Sequence, residues 1–339
     1  MKIFSLDYFE NRVLKEKIET LIIDPVEKDS CYTQIAVKKR AGGIRTLSCI
    51  HLYSRVYHSQ KRLKENYFDK IPTSDFCYGY KKGLSYKDFL APHVDSKYFL
   101  RIDLKDFFGS ITCNLLSEVL TSYISCLPVN NTTLLDLIID IVTLDGKLPQ
   151  GAITSPTLSN IAFRQLDIRI YKYCEKYQVI YSRYADDLLF SSNNMVIHKL
   201  FFLKRISNIL NSKGFSINRD KIVKATEQIS LNGFIVGSEL RISRKKRRLL
   251  SVILYCFDKY KPRTYNILLN HVNAELGAKP IKTTEYLNNF LSGYRSFLIG
   301  WLPYDSLGCL PSEAFLSEFD KKNLRLINQI EYILKKFNP

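Results

Sequence analysis

Val179-Ile180-Tyr181-Ser182-Arg183-Tyr184-Ala185-Asp186-Asp187-Leu188-Leu189-Phe190-Ser191-Ser192 decides how this chain folds. On either side of Tyr184-Ala185-Asp186-Asp187 the residues are β-branched, aromatic or apolar, and they read as two antiparallel strands. Adjacent aspartates are poor strand formers and are costly to bury unpaired. Two carboxylates at about 4 Å repel by roughly 4 kcal/mol at an effective dielectric near 20. Crowding them between apolar strands calls for a divalent cation, or else for a turn that leaves both acids solvated.

A second acidic element lies upstream. Tyr98-Phe99-Leu100-Arg101-Ile102-Asp103-Leu104-Lys105-Asp106-Phe107-Phe108 reads as an apolar strand with Asp103 set into it, followed by an acidic-aromatic turn. Alone it could be an edge strand whose Asp103 pairs with Arg101 or Lys105. Together the two segments look like halves of one metal site. Phosphoryl transfer with two Mg²⁺ ions about 3.5–4 Å apart draws carboxylates from separate strands.

These residues resemble the palm of a reverse transcriptase. The Asp103 strand, then Leu148-Pro149-Gln150-Gly151-Ala152-Ile153-Thr154-Ser155-Pro156, then the Asp186-Asp187 hairpin stand in the family's order. Tyr32 to Leu47, with Lys38-Lys39-Arg40-Ala41-Gly42-Gly43-Ile44-Arg45, looks like the fingers strands. Gly214 to Lys221 resembles the palm segment behind the active site, and Leu231-Asn232-Gly233-Phe234 the primer-holding hairpin. The resemblance covers about residues 32–240. It is nearest to the bacterial retron enzymes in the form Leu-Pro-Gln-Gly-Ala-x-x-Ser-Pro, in Arg-Tyr-Ala-Asp-Asp-Leu with its Phe-Ser-Ser tail, and in Gly83-Leu84-Ser85. Two positions depart from the retron pattern. Of Asn-Ala-x-x-His only His93 survives in Phe89-Leu90-Ala91-Pro92-His93, and Leu231-Asn232-Gly233 stands where Val-Thr-Gly is usual. Another defence-associated bacterial reverse transcriptase is therefore the alternative subclass, and an RNA-binding protein on the same scaffold the alternative class.

The resemblance implies an α+β, right-hand polymerase fold. Fingers would occupy residues 1–98 with part of 128–150, a palm of antiparallel sheet plus helices 99–240, and a helical basic thumb 241–339. It implies two Mg²⁺ ions held by Asp103, Asp186, Asp187 and the carbonyl of Leu104. Lys38, Lys39 and Arg45 are candidates for the triphosphate, Arg45 foremost because guanidinium binds phosphate oxygens bidentately. Asp106, Phe107, Phe108, Gln150 and Gly151 fall in the deoxynucleotide pocket. Phe108 stands at the steric-gate position that excludes a 2′-hydroxyl, and Phe107 reads equally as core. Lys221 matches the position that protonates the leaving pyrophosphate. The implied partners are deoxynucleotides, a structured non-coding RNA serving as template and primer, its cDNA in an RNA–DNA hybrid (msDNA), and a toxin or effector protein in antiphage defence.

Composition is consistent with this. The 339 residues are 46% hydrophobic and 24% charged, globular values. The formal charge of +17 points to a polyanionic partner. From Arg241 to Pro339 there are 17 Lys and Arg against 8 Asp and Glu. The run Arg241, Arg244, Lys245, Lys246, Arg247, Arg248 reads as a contact for a duplex backbone, or as a solvated face. No strong amphipathic anchor favours a membrane surface instead. Leu134 to Val142 is too short to span a membrane and is broken by Asp136 and Asp140. Without a signal-peptide pattern or a Cys-x-x-Cys pair, the expectation is a cytoplasmic protein whose eight cysteines are reduced core residues.

Along the chain, residues 32–50 read as a hairpin turning at Ala41-Gly42-Gly43. Helices are expected over 51–70, near 114–127 and 132–143, through 158–170, and over 195–212. Helices dominate from Ser243, the expected N-cap of the first of them.

Overall fold

The computed structural model describes residues 2–38, 42–277, 280–304 and 308–337. The chain divides into two units, Met1–Phe89 with Tyr98–Ala225, and Leu90–Lys97 with Thr226–Pro339.

The first unit is organised by an antiparallel sheet. Hairpin strands Ile180–Tyr184 and Asp187–Ser192 lie beside the central strand Tyr98–Lys105, and short Ser216–Ile217 closes its other side. Register pairs Tyr98 with Ser192 and Asp103 with Asp187. The Asp103 strand is therefore interior rather than an edge. Its Phe99, Leu100, Ile102 and Leu104 are all buried, as expected of a strand covered on both faces. Helix Ser155–Glu175 begins with Pro156 in its first turn and buries Phe163, Leu166 and Ile170. A single apolar cluster runs from Ile3 to Phe215.

Other elements follow the sequence with shifted ends. Tyr32–Lys38 pairs with Ile44–Ile50 as an antiparallel hairpin, and the turn residue Ala41 lies outside the described residues. The helix expected over 114–127 ends at Leu120. The chain beyond it is drawn off to pair with the N-terminal segment: Ile3 donates to the Tyr123 carbonyl, and Ser125 to that of Ile3. The next helix is Leu134–Val142, capped by Thr133, and Thr132–Thr133 instead pairs with Pro128–Val129. The stretch 195–212 splits into a 3₁₀ turn, Met195–His198, and helix Leu200–Asn211.

In the second unit, Ile229–Leu231, Phe234–Val236 and Leu240–Ile242 form a three-stranded antiparallel sheet. Helices Arg244–Tyr260, Tyr265–Leu276, Thr284–Ile299 and Glu318–Phe337 follow. Ser243 caps the first, its side chain accepting from the Lys246 N–H. Phe234 stacks on Trp301 at 4.1 Å, which ties the small sheet to the helices.

No helix among the described residues is long and apolar enough to cross a membrane. Cys31, Cys77, Cys174 and Cys256 are buried as expected, whereas Cys126 and Cys309 are exposed.

Candidate active site

Tyr184 pairs with Asp187, leaving Ala185 and Asp186 as a two-residue loop. Ala185 has φ of 56°, a left-handed conformation that the first position of such loops usually reserves for glycine. The surroundings impose it. Buried Arg183 donates through Nη1 to the Ala185 carbonyl at 3.1 Å. It also makes two 2.9 Å bonds to Asp167 of helix Ser155–Glu175. From the other side, Gly79 lies so close that a Cβ there would come within 2.6 Å of the Ala185 nitrogen.

A cavity of about 1130 Å³ opens at this loop, lined by Asp103, Asp186, Arg45, Asp106, Phe108, Gln150, Lys221 and Tyr80 among others. Two acids expected to act together thus share one wall. Leu104 lines the cavity too, and its N–H donates to the Asp186 carbonyl at 3.0 Å. Burial pushes the Asp186 carboxyl up, with the Asp103 charge adding to the rise. Lys221 Nζ lies 3.1 and 3.0 Å from the two Asp103 oxygens, and Asn218 Nδ2 donates to one of them at 3.3 Å.

Asp187 is placed differently. It stands opposite Asp103, but its Oδ1 accepts from Arg101 Nε at 2.9 Å and Nη2 at 2.6 Å. Burial also raises this carboxyl, against the opposing pull of Arg101. Arg101 therefore pairs with Asp187, and Asp103 with Lys221. Among the described residues no three His, Cys, Asp or Glu side chains converge on one metal position. Asp103 and Asp186 nevertheless suit a hard divalent cation: both offer carboxylate oxygens to an open cavity, and the Lys221 ammonium shows that a cation can sit on Asp103.

The remaining candidates divide. Phe107 both lines the cavity and packs in the core, 5.9 Å from the rings of Phe163 and Phe215. Gly151 backs onto the Tyr32–Ile50 hairpin: its φ is 131°, and a Cβ there would lie 2.6 Å from the Ser48 carbonyl oxygen. The Gln150 carbonyl is fixed there by the Ser48 N–H at 2.8 Å. Lys38 is exposed and does not line the cavity, and Lys39 lies outside the described residues.

In the second unit Arg244, Lys245, Arg247 and Arg248 line a cleft of about 630 Å³ with Tyr255. Lys246 does not join them. Its ammonium sits 4.2 Å from the Phe234 ring centroid and 3.9 Å from that of Phe297, where burial lowers its pKa. On the helix it faces the aromatic cluster and not the cleft. Arg241 stands apart, bonded to Gln228 at 2.6 Å.

Sequence reasoning did not place Tyr80 or Asn218 beside the acids, and it offered Arg101 as a partner of Asp103 and not of Asp187. For Arg101 a signal existed: strand alternation puts residues 101 and 103 on one face.

Residues 37–253 match the family described as reverse transcriptase (RNA-dependent DNA polymerase). The retron Ec86 reverse transcriptase of Escherichia coli is 31% identical over 70% of this chain and 73% of its own length. The chain belongs to the retron-type reverse transcriptases. The retron Ec73 enzyme of E. coli is 33% identical over 61% of this chain and 67% of that protein. The retron Mx65 enzyme of Myxococcus xanthus is 32% identical over 68% of this chain. The alignment spans 57% of the Mx65 protein's length. Among solved structures, apo telomerase from Candida tropicalis aligns with this reverse transcriptase at TM-score 0.49 and 14% identity, over 91% of this chain and 58% of that one.

Proposed function

We propose that this protein lengthens a primer with deoxynucleotides on an RNA template. The observation that carries the reading is the placement of Asp103 and Asp186 on one cavity with Arg45, Phe108 and Gln150. In the right-hand description the sheet bearing the acids is the palm, the Tyr32–Ile50 hairpin the fingers and the C-terminal helices the thumb.

The primer hydroxyl gives its proton to solvent as its oxygen attacks the α-phosphorus, and the bond to pyrophosphate breaks. Asp103, Asp186 and the Leu104 carbonyl would hold magnesium, which lowers the hydroxyl's pKa and offsets charge on the phosphates. Arg45 grips the triphosphate through paired N–H groups. Phe108 closes the space under the sugar, and Gln150 borders the incoming nucleotide. Lys221 Nζ carries a proton for the departing pyrophosphate. Asp187, neutralised by Arg101, supports the acids without facing the cavity. The thumb cleft of Arg244, Lys245, Arg247 and Arg248 holds phosphates of the RNA–DNA hybrid, an attraction that weakens as salt rises.

Family membership supports a dedicated structured RNA as template and primer, its msDNA product, and an effector protein in antiphage defence. The last two rest on membership alone. Replacing both Asp186 and Asp187 by Ala should abolish primer extension and leave RNA affinity largely intact. Undiminished extension by that variant defeats the assignment. Sequencing the copurifying nucleic acid tests the subclass: a branched RNA–DNA hybrid supports the retron type, and heterogeneous cellular RNA counts against it.

A further inference from the structure

Tyr80 enters the catalytic cavity from a segment with no place in the mechanism above. Residues 76–80 run as a parallel extension alongside the hairpin. Tyr78 donates to the Arg183 carbonyl at 2.8 Å, and Arg183 donates to that of Phe76 at 2.8 Å. Asn160 Nδ2 fixes the Gly79 carbonyl at 2.8 Å, and Gly79 abuts Ala185. So clamped, the chain delivers Tyr80 at φ of 60°, a left-handed conformation that a bulky residue rarely adopts. Such strain persists only where surroundings over-determine it. The ring lands 6.2 Å from that of Phe108 at 45°, within the range of attractive aromatic pairs. Asp186 lines the same cavity, and its charge adds to burial in raising the phenol's pKa.

We propose that Tyr80 is a positioning residue for sugar selection: its ring braces Phe108 so that the gate stays where a 2′-hydroxyl would have to go. The inference rests on the polymerase reading and on Phe108 as gate. An unbraced phenyl ring can swing aside, and the excluded hydroxyl then gains room. Because the phenol hydroxyl plays no part, Tyr80→Phe should behave as the parent, whereas Tyr80→Ala frees the gate.

The test is primer extension with single deoxy- or ribonucleotides by the parent, Tyr80→Phe, Tyr80→Ala, Phe108→Ala and the double alanine variant. An aromatic contact of this kind is worth up to about tenfold. Tyr80→Ala should therefore lower the deoxy-over-ribo preference in kcat/KM by about five- to tenfold, with deoxynucleotide kcat within about twofold of the parent. Phe108→Ala should lower the preference further, and adding Tyr80→Ala to it should change nothing more, because the brace has no gate left to hold. Unchanged discrimination in Tyr80→Ala with a relaxed Phe108→Ala overturns the inference and leaves the gate standing. Additive losses in the double variant, or a loss in Tyr80→Phe equal to that in Tyr80→Ala, also overturn it, since Tyr80 would then meet the nucleotide directly. Intact discrimination in Phe108→Ala removes the gate and the inference together, and a parent that extends nothing removes the polymerase reading.

Discussion

Replacing Arg183 by Met should cost this protein more than any change in the cavity itself. Arg183 and Asp167 are both fully buried, and the guanidinium makes two 2.9 Å bonds to the carboxylate. It also lies 4.4 Å from the Phe163 ring centroid and donates to the Ala185 carbonyl. Burial alone would lower its pKa, but the adjacent Asp167 charge prevails and holds it above the usual value. Met fills much of the volume and leaves Asp167 as a buried carboxylate with the Tyr181 hydroxyl at 2.7 Å as its hydrogen-bond donor among the described side chains. Breaking a buried pair in this way costs about 3–5 kcal/mol. That is a large part of a domain's total of about 5–15 kcal/mol. At about 2–4 °C per kcal/mol, the melting temperature should fall by roughly 6–20 °C. Adding Asp167→Asn removes the stranded charge and should recover most of the loss. Calorimetry and urea unfolding at neutral pH would measure both variants. A loss under about 1 kcal/mol for Arg183→Met, or no recovery in the double variant, refutes the assignment of the cost to an uncompensated charge.

Other expectations are narrower. Gly79→Ala forces a methyl against the Ala185 nitrogen, a misfit of about 1–3 kcal/mol that should slow primer extension at least tenfold while RNA affinity holds; parent-like extension contradicts the close approach. His93 is fully buried, and burial pushes its pKa down from 6.5 to about 3. Since the unfolded chain takes up the proton first, stability should fall as pH drops from about 6.5 toward 3, by up to about 1.4 kcal/mol per unit. His93→Gln should flatten that slope in melts recorded across the range. Lys246→Gln should lower the melting temperature without altering how RNA affinity responds to salt, whereas Arg248→Gln should reduce the salt slope by about 1. Binding isotherms at several salt concentrations separate the two.

What the sequence made legible was local. Apolar flanks around Asp186-Asp187, the Gln150-Gly151 loop and Ser243 before a basic run each carry their signal within a few residues. The pairing of charges was hidden, because it depends on register. Whether Arg101 meets Asp103 or Asp187 turns on a diagonal across two strands, and the partner of Asp103 proved to be Lys221, over a hundred residues away. Lys246 shows the same limit from another side. Within a cationic run nothing local says which side chain rolls inward, and the aromatic rings that capture it come from distant elements. The packing of Phe234 on Trp301 is likewise invisible near residue 240, since the two rings lie far apart in the chain.

The tight loop at Ala185 and Asp186 has a consequence for how such an enzyme can evolve. Because side chains alternate along a strand, one inserted residue in either arm would turn the side chains beyond it to the opposite face. The tip has no spare length to absorb the slip. Insertions and deletions are thus shut out here, and changes of length must accumulate in segments that end elsewhere.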